Sequence, residues 1–103
     1  QGLLFAADYS GYLHCLDADT GEEHWKYDTS AHIWGSTLVA DGRVYVGIED
    51  GFMVSAPATK ALDEKAVKEI DFGVPIYSSP IAANGVLYVA THTHLFAIAE
   101  TKK

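Results

Sequence analysis

The chain has 103 residues, of which 49% are hydrophobic and 12% aromatic, and this composition is sufficient for the core of one small globular domain. Its 14 acidic and seven basic residues give a formal net charge of −7, and the scattered basic residues argue against a nucleic-acid partner. The chain contains no run of about 18 apolar residues, so its sequence predicts no transmembrane helix. Its single cysteine, Cys15, cannot form an intrachain disulfide.

Residues 1–30 predict an incomplete copy of a repeated strand unit. Segment 22–27 alternates core-type and polar side chains, as a half-buried strand does. The predicted elements are strands at 2–7, 13–16 and 22–27, separated by turns at 8–11 and 17–21.

Residues 31–73 predict a complete copy with four strands. Asp41-Gly42 tolerates positive φ at both central positions of a tight turn, so it joins two antiparallel strands. Segment 61–67 contains good helix formers but is too short for an independent helix, and we predict a longer connection there. The predicted strands lie at 33–40, 43–47, 53–56 and 67–70.

Residues 74–103 predict a second incomplete copy, with Asn84-Gly85 in the place of Asp41-Gly42. The segments 2–7, 42–47 and 85–90 resemble one another and recur at spacings of 40 and 43 residues. Periods of this length are typical of arrays of one stacked unit. We therefore expect a single all-β domain of ten strands over residues 1–103, with partial, full and partial units.

Around the second and third strands, Cys15-x-Asp17-x-x-Thr20-Gly21-x-x-x-Trp25 resembles the repeat of pyrroloquinoline quinone (PQQ)-type propellers. That pattern is Ala-x-Asp-x-x-Thr-Gly-x-x-x-Trp, and only Cys15 departs from it. The resemblance implies a β-propeller segment of about two and a half four-stranded antiparallel blades. We expect a structural motif, in which Asp17 and Thr20 bond the turn, Gly21 supplies an unusual φ and Trp25 packs between blades.

The resembling family ranges from quinoprotein dehydrogenases to outer-membrane assembly lipoproteins that hold no quinone. The dehydrogenases use a vicinal cysteine pair, a tryptophan platform and carboxylates around calcium or a lanthanide. This chain has one cysteine and no carboxylates that match those positions, so we predict no catalytic residue and no cofactor in it. PQQ with calcium is expected only if the parent protein is a dehydrogenase.

The resemblance therefore favours a noncatalytic binding or scaffolding module, exported to the periplasm or cell envelope. Two alternatives stay open: the carboxyl-terminal segment of a PQQ-dependent dehydrogenase whose active site lies in other blades, and a sugar- or peptide-binding propeller. Whether the parent protein is an enzyme stays undecided.

Two pairs of residues are candidates for binding. Trp34 and Tyr77 occupy the same position of the predicted innermost strands, where they could line the channel mouth and stack a ligand or a partner's side chain. Packing between blades is the favoured alternative for both. His92 and His94 alternate along an extended segment and could ligate one ion, although no third ligand stands at a suitable spacing.

The remaining candidates are assigned structural roles. Segment 17–21 imitates the start of a calcium loop but lacks the later ligands, so turn geometry explains it better. The histidines are read as half-buried strand residues, and the serines of the innermost strands lack a readable triad. These residues are His14, His24, His32, Ser36, Ser78 and Ser79.

Ten strands are too few to close a propeller ring, which needs at least four blades. Open sheet edges and apolar blade faces require cover. We expect further blades of the same propeller or a protein partner to supply it, with self-association through the open edges when they do not. A carboxyl-terminal part of a larger propeller is the most economical explanation.

Overall fold

The protein is described here by a computed structural model that covers residues 2–40, 42–83, 86–91 and 94–99. Within these ranges the chain is all-β, which confirms the predicted fold class, and its ten strands are accompanied by one short 3-10 turn, η1 (Glu64–Ala66). No helix in the described ranges could span a membrane. The strands are β1 (Leu3–Ala7), β2 (Tyr12–Asp17), β3 (Glu23–Asp28), β4 (Leu38–Ala40), β5 (Arg43–Gly47), β6 (Phe52–Pro57), β7 (Lys68–Asp71), β8 (Ile81–Ala83), β9 (Val86–Ala90) and β10 (Leu95–Ala99).

The strands form three antiparallel meanders, ordered β1-β2-β3, β4-β5-β6-β7 and β8-β9-β10. Ala40 pairs with Arg43, so β4 and β5 are antiparallel neighbours in a tight hairpin, and Gly42 has a φ of +74°. Asp41 and the Asn84-Gly85 turn lie outside the described residues. Each sheet is therefore built from contacts between strands that are neighbours in the sequence.

The turn between β1 and β2 in the first blade and the turn between β5 and β6 in the second blade have the same backbone hydrogen bonds. Gly11 N donates to Asp8 O at 3.1 Å, and Gly51 N donates to Ile48 O at 3.1 Å. Both glycines have a positive φ, +108° and +96°, which other residues adopt only with strain. The sequence repeat is thus a repeat of local backbone geometry.

The core lies between the sheets. Central strand β6 is buried on both faces, with Met53 against the third sheet and Val54 against the first. Complete burial of such an apolar side chain stabilises the fold by about 1.5–3 kcal/mol. Stacking of neighbouring blades, rather than one sheet alone, therefore supplies the hydrophobic stabilisation.

The innermost strands are shorter than the sequence predicts. Residues 33–37 and 76–80 are irregular, so the placement of Trp34, Ser36, Tyr77, Ser78 and Ser79 on innermost strands was wrong. The physical reason is a close approach of two blades: a Cβ atom at Gly35 would lie 2.5 Å from Ser78 O. In place of sheet pairing, Ser36 N donates to the hydroxyl of Ser79 at 2.7 Å.

The connection at 61–67 contains η1, whose first turn is capped by the side chain of Asp63. Arg43 fixes this connection to the second blade. Its guanidinium donates to Ser55 Oγ at 2.7 Å and to Ala66 O at 2.8 Å. The segment is therefore an ordered hairpin connection from β6 to β7 that contains one short 3-10 turn.

Candidate functional site

The motif that resembles the propeller repeat forms a compact turn between β2 and β3. Asp17 Oδ1 accepts hydrogen bonds from Asp19 N at 2.8 Å and from Thr20 N at 3.0 Å. The bonds from the backbone N–H groups of Thr20 and Asp19 lower the pKa of the Asp17 carboxyl. Gly21 completes the turn with a φ of +79°. Asp17, Thr20 and Gly21 therefore serve the turn's geometry.

The last motif residue links the first blade to the second. Trp25 is only 9% exposed, and its indole N–H donates to Thr59 O at 2.9 Å. The buried thiol of Cys15 points at the same carbonyl, with Sγ at 3.7 Å from the oxygen, and burial raises the pKa of that thiol. Both side chains act in packing between blades.

The described residues do not supply a metal site. They contain no group of three or more histidine, cysteine or carboxylate side chains that could hold an ion. His92 lies outside the described residues, while His94 is exposed in the turn before β10, with its backbone N–H donating to Thr91 Oγ1 at 3.1 Å. The histidine, cysteine and carboxylate side chains of the described residues offer neither a calcium cage nor a vicinal cysteine pair for PQQ. We therefore derive no chemistry through that cofactor.

His14 is held between two carboxylates on the face of the first blade. Its Nε2–H donates to Asp8 Oδ2 at 2.8 Å, and its Nδ1–H donates to Glu23 Oε2 at 2.6 Å. The hydrogen bond to Asp8 is the largest cause of a raised His14 pKa, and the bond to His14 lowers the pKa of Asp8. The imidazolium form is therefore favoured. Each ring nitrogen faces a different carboxylate, which suits an ion pair rather than a shared metal.

Four rings from three different turns form a continuous row at one end of the blades. The Tyr9 and His32 rings stack with centroids 4.2 Å apart, and Tyr9 meets Trp34 edge-on at 4.8 Å. Trp34 in turn contacts Tyr77 edge-on at 5.9 Å. Tyr9 and Trp34 remain 53% and 52% exposed. The structure thus brings the two predicted channel-mouth residues together and leaves the Trp34 ring accessible.

A depression of about 470 Å³ lies beside this row. Glu49 joins the two features: its carboxylate accepts the Trp34 indole N–H at 3.3 Å, and its backbone N–H donates to His32 O at 2.9 Å. The depression is lined by Ser10, Ser30, Ala31, His32, Glu49, Asp50 and Pro75. We call Tyr9, His32, Trp34, Tyr77, Glu49 and Asp50 the aromatic–acidic patch.

Sequence reasoning missed most of the aromatic–acidic patch. Tyr9, Glu49 and Asp50 belong to the turns after β1 and β5, whereas Trp34 and Tyr77 precede β4 and β8. One signal was available, because the turns at 8–11 and 48–51 occupy equivalent positions of the repeat. Equivalent turns of stacked blades lie at the same end of the array.

Comparison with known proteins places this geometry in a family. The family model described as outer membrane protein assembly factor BamB matches residues 1–65. The chain is 28% identical over 99 residues to outer membrane protein assembly factor BamB of Yersinia pestis, with 85% of this chain and 24% of that protein covered. It is 31% identical over 86 residues to quinoprotein alcohol dehydrogenase PedH of Pseudomonas putida, with 81% of this chain and 14% of that protein covered.

Solved structures agree on the fold. BamB from Moraxella catarrhalis matches with a TM-score of 0.74 and 18% identity, over 92% of this chain and 29% of that one. Quinohemoprotein alcohol dehydrogenase ADHIIG from Pseudomonas putida HK5 matches with a TM-score of 0.71 and 23% identity, over 85% of this chain and 15% of that one. Both are β-propellers, which confirms the predicted propeller segment.

The chain spans a quarter or less of the length of the curated relatives described above, 24% of one and 14% of the other. The matched residues include the whole Asp17 to Trp25 motif and most of the second blade. The chain belongs to the BamB-like family of PQQ-type propeller repeats.

Proposed function

We propose that this chain is a noncatalytic binding or scaffolding segment of a larger propeller that works in the cell envelope. The observation that carries the proposal is the aromatic–acidic patch, where Trp34 is half exposed although Tyr9, Tyr77 and Glu49 hold it in place. An accessible aromatic side chain beside a concave surface is a common feature of binding sites.

The proposed partner is a separate protein. It binds in addition to the further blades that complete the propeller ring. Support comes from the two BamB relatives, since the name of the Yersinia pestis protein describes an outer membrane protein assembly factor. The same similarity supports export to the periplasm or cell envelope. The net charge of −7 favours a partner with a basic surface over a polyanion.

Photocrosslinking in the cell of origin tests the binding role. A benzophenone amino acid replaces Trp34 in the protein expressed from its own gene, and mass spectrometry identifies the crosslinked products. We expect one recurring envelope protein at position 34. A matched probe at Lys68, on the exposed β7, is expected not to capture it. Capture of the same proteins at both positions, or at neither, would contradict a partner site at the patch.

A second candidate function is that of a segment of a quinoprotein dehydrogenase, since the relatives include PedH and ADHIIG. The coding sequence on either side of this chain discriminates the two. A vicinal cysteine pair and clustered Asp, Glu and Asn residues would favour the dehydrogenase. Stoichiometric binding of PQQ with calcium to the parent protein, together with dye-linked alcohol oxidation, would refute the noncatalytic proposal.

A further inference from the structure

We infer that the aromatic–acidic patch recognises an arginine side chain in a flexible segment of a partner protein. The inference rests on the proposed binding function and specifies the chemistry of the partner. It is built from three observations at the patch: exposed ring surface, carboxylates that line the adjoining depression, and an unusual backbone conformation at Ser30, which also lines that depression.

The ring surface suits a cation. Tyr9 and Trp34 expose about half of their area while they meet edge-on at 4.8 Å. The face of an indole or phenol ring carries negative charge density and attracts a guanidinium placed over it. The Tyr9 ring is fixed by its contact with His32 and the Trp34 ring by its contact with Tyr77, so little side-chain entropy is lost when a ligand stacks on Tyr9 or Trp34.

The carboxylates give the depression its charge. Glu49 and Asp50 both line it, and the described lining residues include no lysine or arginine. Glu49 accepts one hydrogen bond from Trp34 Nε1, whereas a carboxylate has about four acceptor sites. A planar guanidinium can donate to a carboxylate and stack on an aromatic ring at the same time, which a lysine ammonium cannot do. The combination therefore favours arginine.

The backbone beneath the depression is held in an unusual conformation. Ser30 has a φ of +66° although it is not glycine, and its N–H donates to Asp28 Oδ1 at 2.8 Å. Next to it, the buried Thr29 hydroxyl donates to Gly11 O at 2.8 Å and lies 3.0 Å from Ala31 O. Strained residues that are held in this way concentrate at binding and catalytic sites.

A peptide titration tests the inference. The probe is a capped peptide that carries two arginines among glycines and serines, and its matched control carries citrulline, which keeps the shape but lacks the charge. Binding to the protein is measured by calorimetry and by tryptophan emission, to which both Trp25 and Trp34 contribute. We expect the arginine peptide to bind, the citrulline peptide to bind at least tenfold more weakly, and added salt to weaken binding.

Matched variants locate the site. Glu49→Gln is expected to weaken binding of the arginine peptide about fivefold, whereas Glu69→Gln, which removes the same charge from exposed strand β7, leaves it unchanged. Trp34→Leu is expected to weaken binding about fivefold, and Trp34→Phe, which keeps an aromatic face, to retain most of it. Circular dichroism spectra identical to those of the unsubstituted protein establish that each variant folds.

Three results would overturn the inference: equal binding of the citrulline peptide, equal losses from Glu49→Gln and Glu69→Gln, or preferential binding of a neutral oligosaccharide that Glu49→Gln does not affect. The proposed function fails separately. If the peptide does not bind but photocrosslinking still captures a specific partner, the binding role stands and the arginine inference is wrong.

Discussion

The two tryptophans of this chain allow one substitution to be compared in opposite environments. Trp25 is 9% exposed and bonds Thr59 O at 2.9 Å, whereas Trp34 is 52% exposed and bonds Glu49 at 3.3 Å. Trp25→Phe removes the main donor to a carbonyl between two blades, at a cost of about 1–3 kcal/mol, and also leaves space in the core. We expect a total loss of about 2–3 kcal/mol.

Trp34→Phe is the matched control. Because the Trp34 ring is half exposed and its hydrogen bond is long, we expect the free energy of unfolding to change by about 0.5 kcal/mol or less. Urea unfolding followed by far-UV circular dichroism measures the free energy of unfolding of both variants. In thermal unfolding, the Trp25→Phe variant should melt about 10–20 °C below the unsubstituted protein. Equal losses for the two variants, or a negligible loss for Trp25→Phe, would refute the assignment of Trp25 to packing between blades.

Three further predictions concern the blade contacts, the ion pair and the sheet edges. Gly35→Ala places a Cβ atom 2.5 Å from Ser78 O and 2.9 Å from Ser79 N, so it should destabilise the protein by about 1–3 kcal/mol and shift the tryptophan emission. Unchanged stability and emission would contradict the close approach. The His14 pKa is raised from its ordinary 6.5, so this contribution to stability is fully present below about pH 6.5 and is lost as the pH rises through the raised pKa. The lowered Asp8 pKa adds stability above about pH 3.8, and this stability is lost as the pH falls through the lowered pKa. A His14→Gln variant with the same pH dependence of unfolding as the unsubstituted protein would argue against the ion pair. Ile81 and Leu95 are 60% and 70% exposed on the third sheet, so the isolated chain should self-associate, and light scattering that shows a compact monomer at high concentration would exclude this.

The strand order was predictable because hairpins are local structures. Turn glycines such as Gly11 and Gly51, with positive φ, stand between the predicted strands, and each predicted strand has its sequence neighbour as its partner. The innermost strands were overestimated for a nonlocal reason. Gly35 approaches the backbone of Ser78 in the next blade, and no alternation of residues within 33–40 reports that contact.

The candidate site was predictable only in part. Trp34 and Tyr77 stood out because they share a position in aligned copies of the repeat. The same alignment places the turns of Tyr9 and Glu49 at one end of the blades, but it does not report that the Glu49 carboxylate contacts the Trp34 indole. The role of His14 was also missed, since its carboxylates come from the turn before β2 and from β3. A half-buried strand histidine and an ion-paired one look alike in sequence.

Repetition and turn residues in the amino-acid sequence were sufficient to predict an all-β array of stacked hairpin units, because hairpin hydrogen bonds join residues that are close along the chain. The resemblance of the motif from Cys15 to Trp25 to a known repeat added the expectation of a propeller. The stacking of the blades established the rest. It buried Trp25 against Thr59, exposed Trp34 beside Glu49 and brought Tyr9 within 4.8 Å of Trp34. Blade packing, which operates between residues distant in sequence, therefore assigned one tryptophan to the core and the other to the surface that we propose binds a partner.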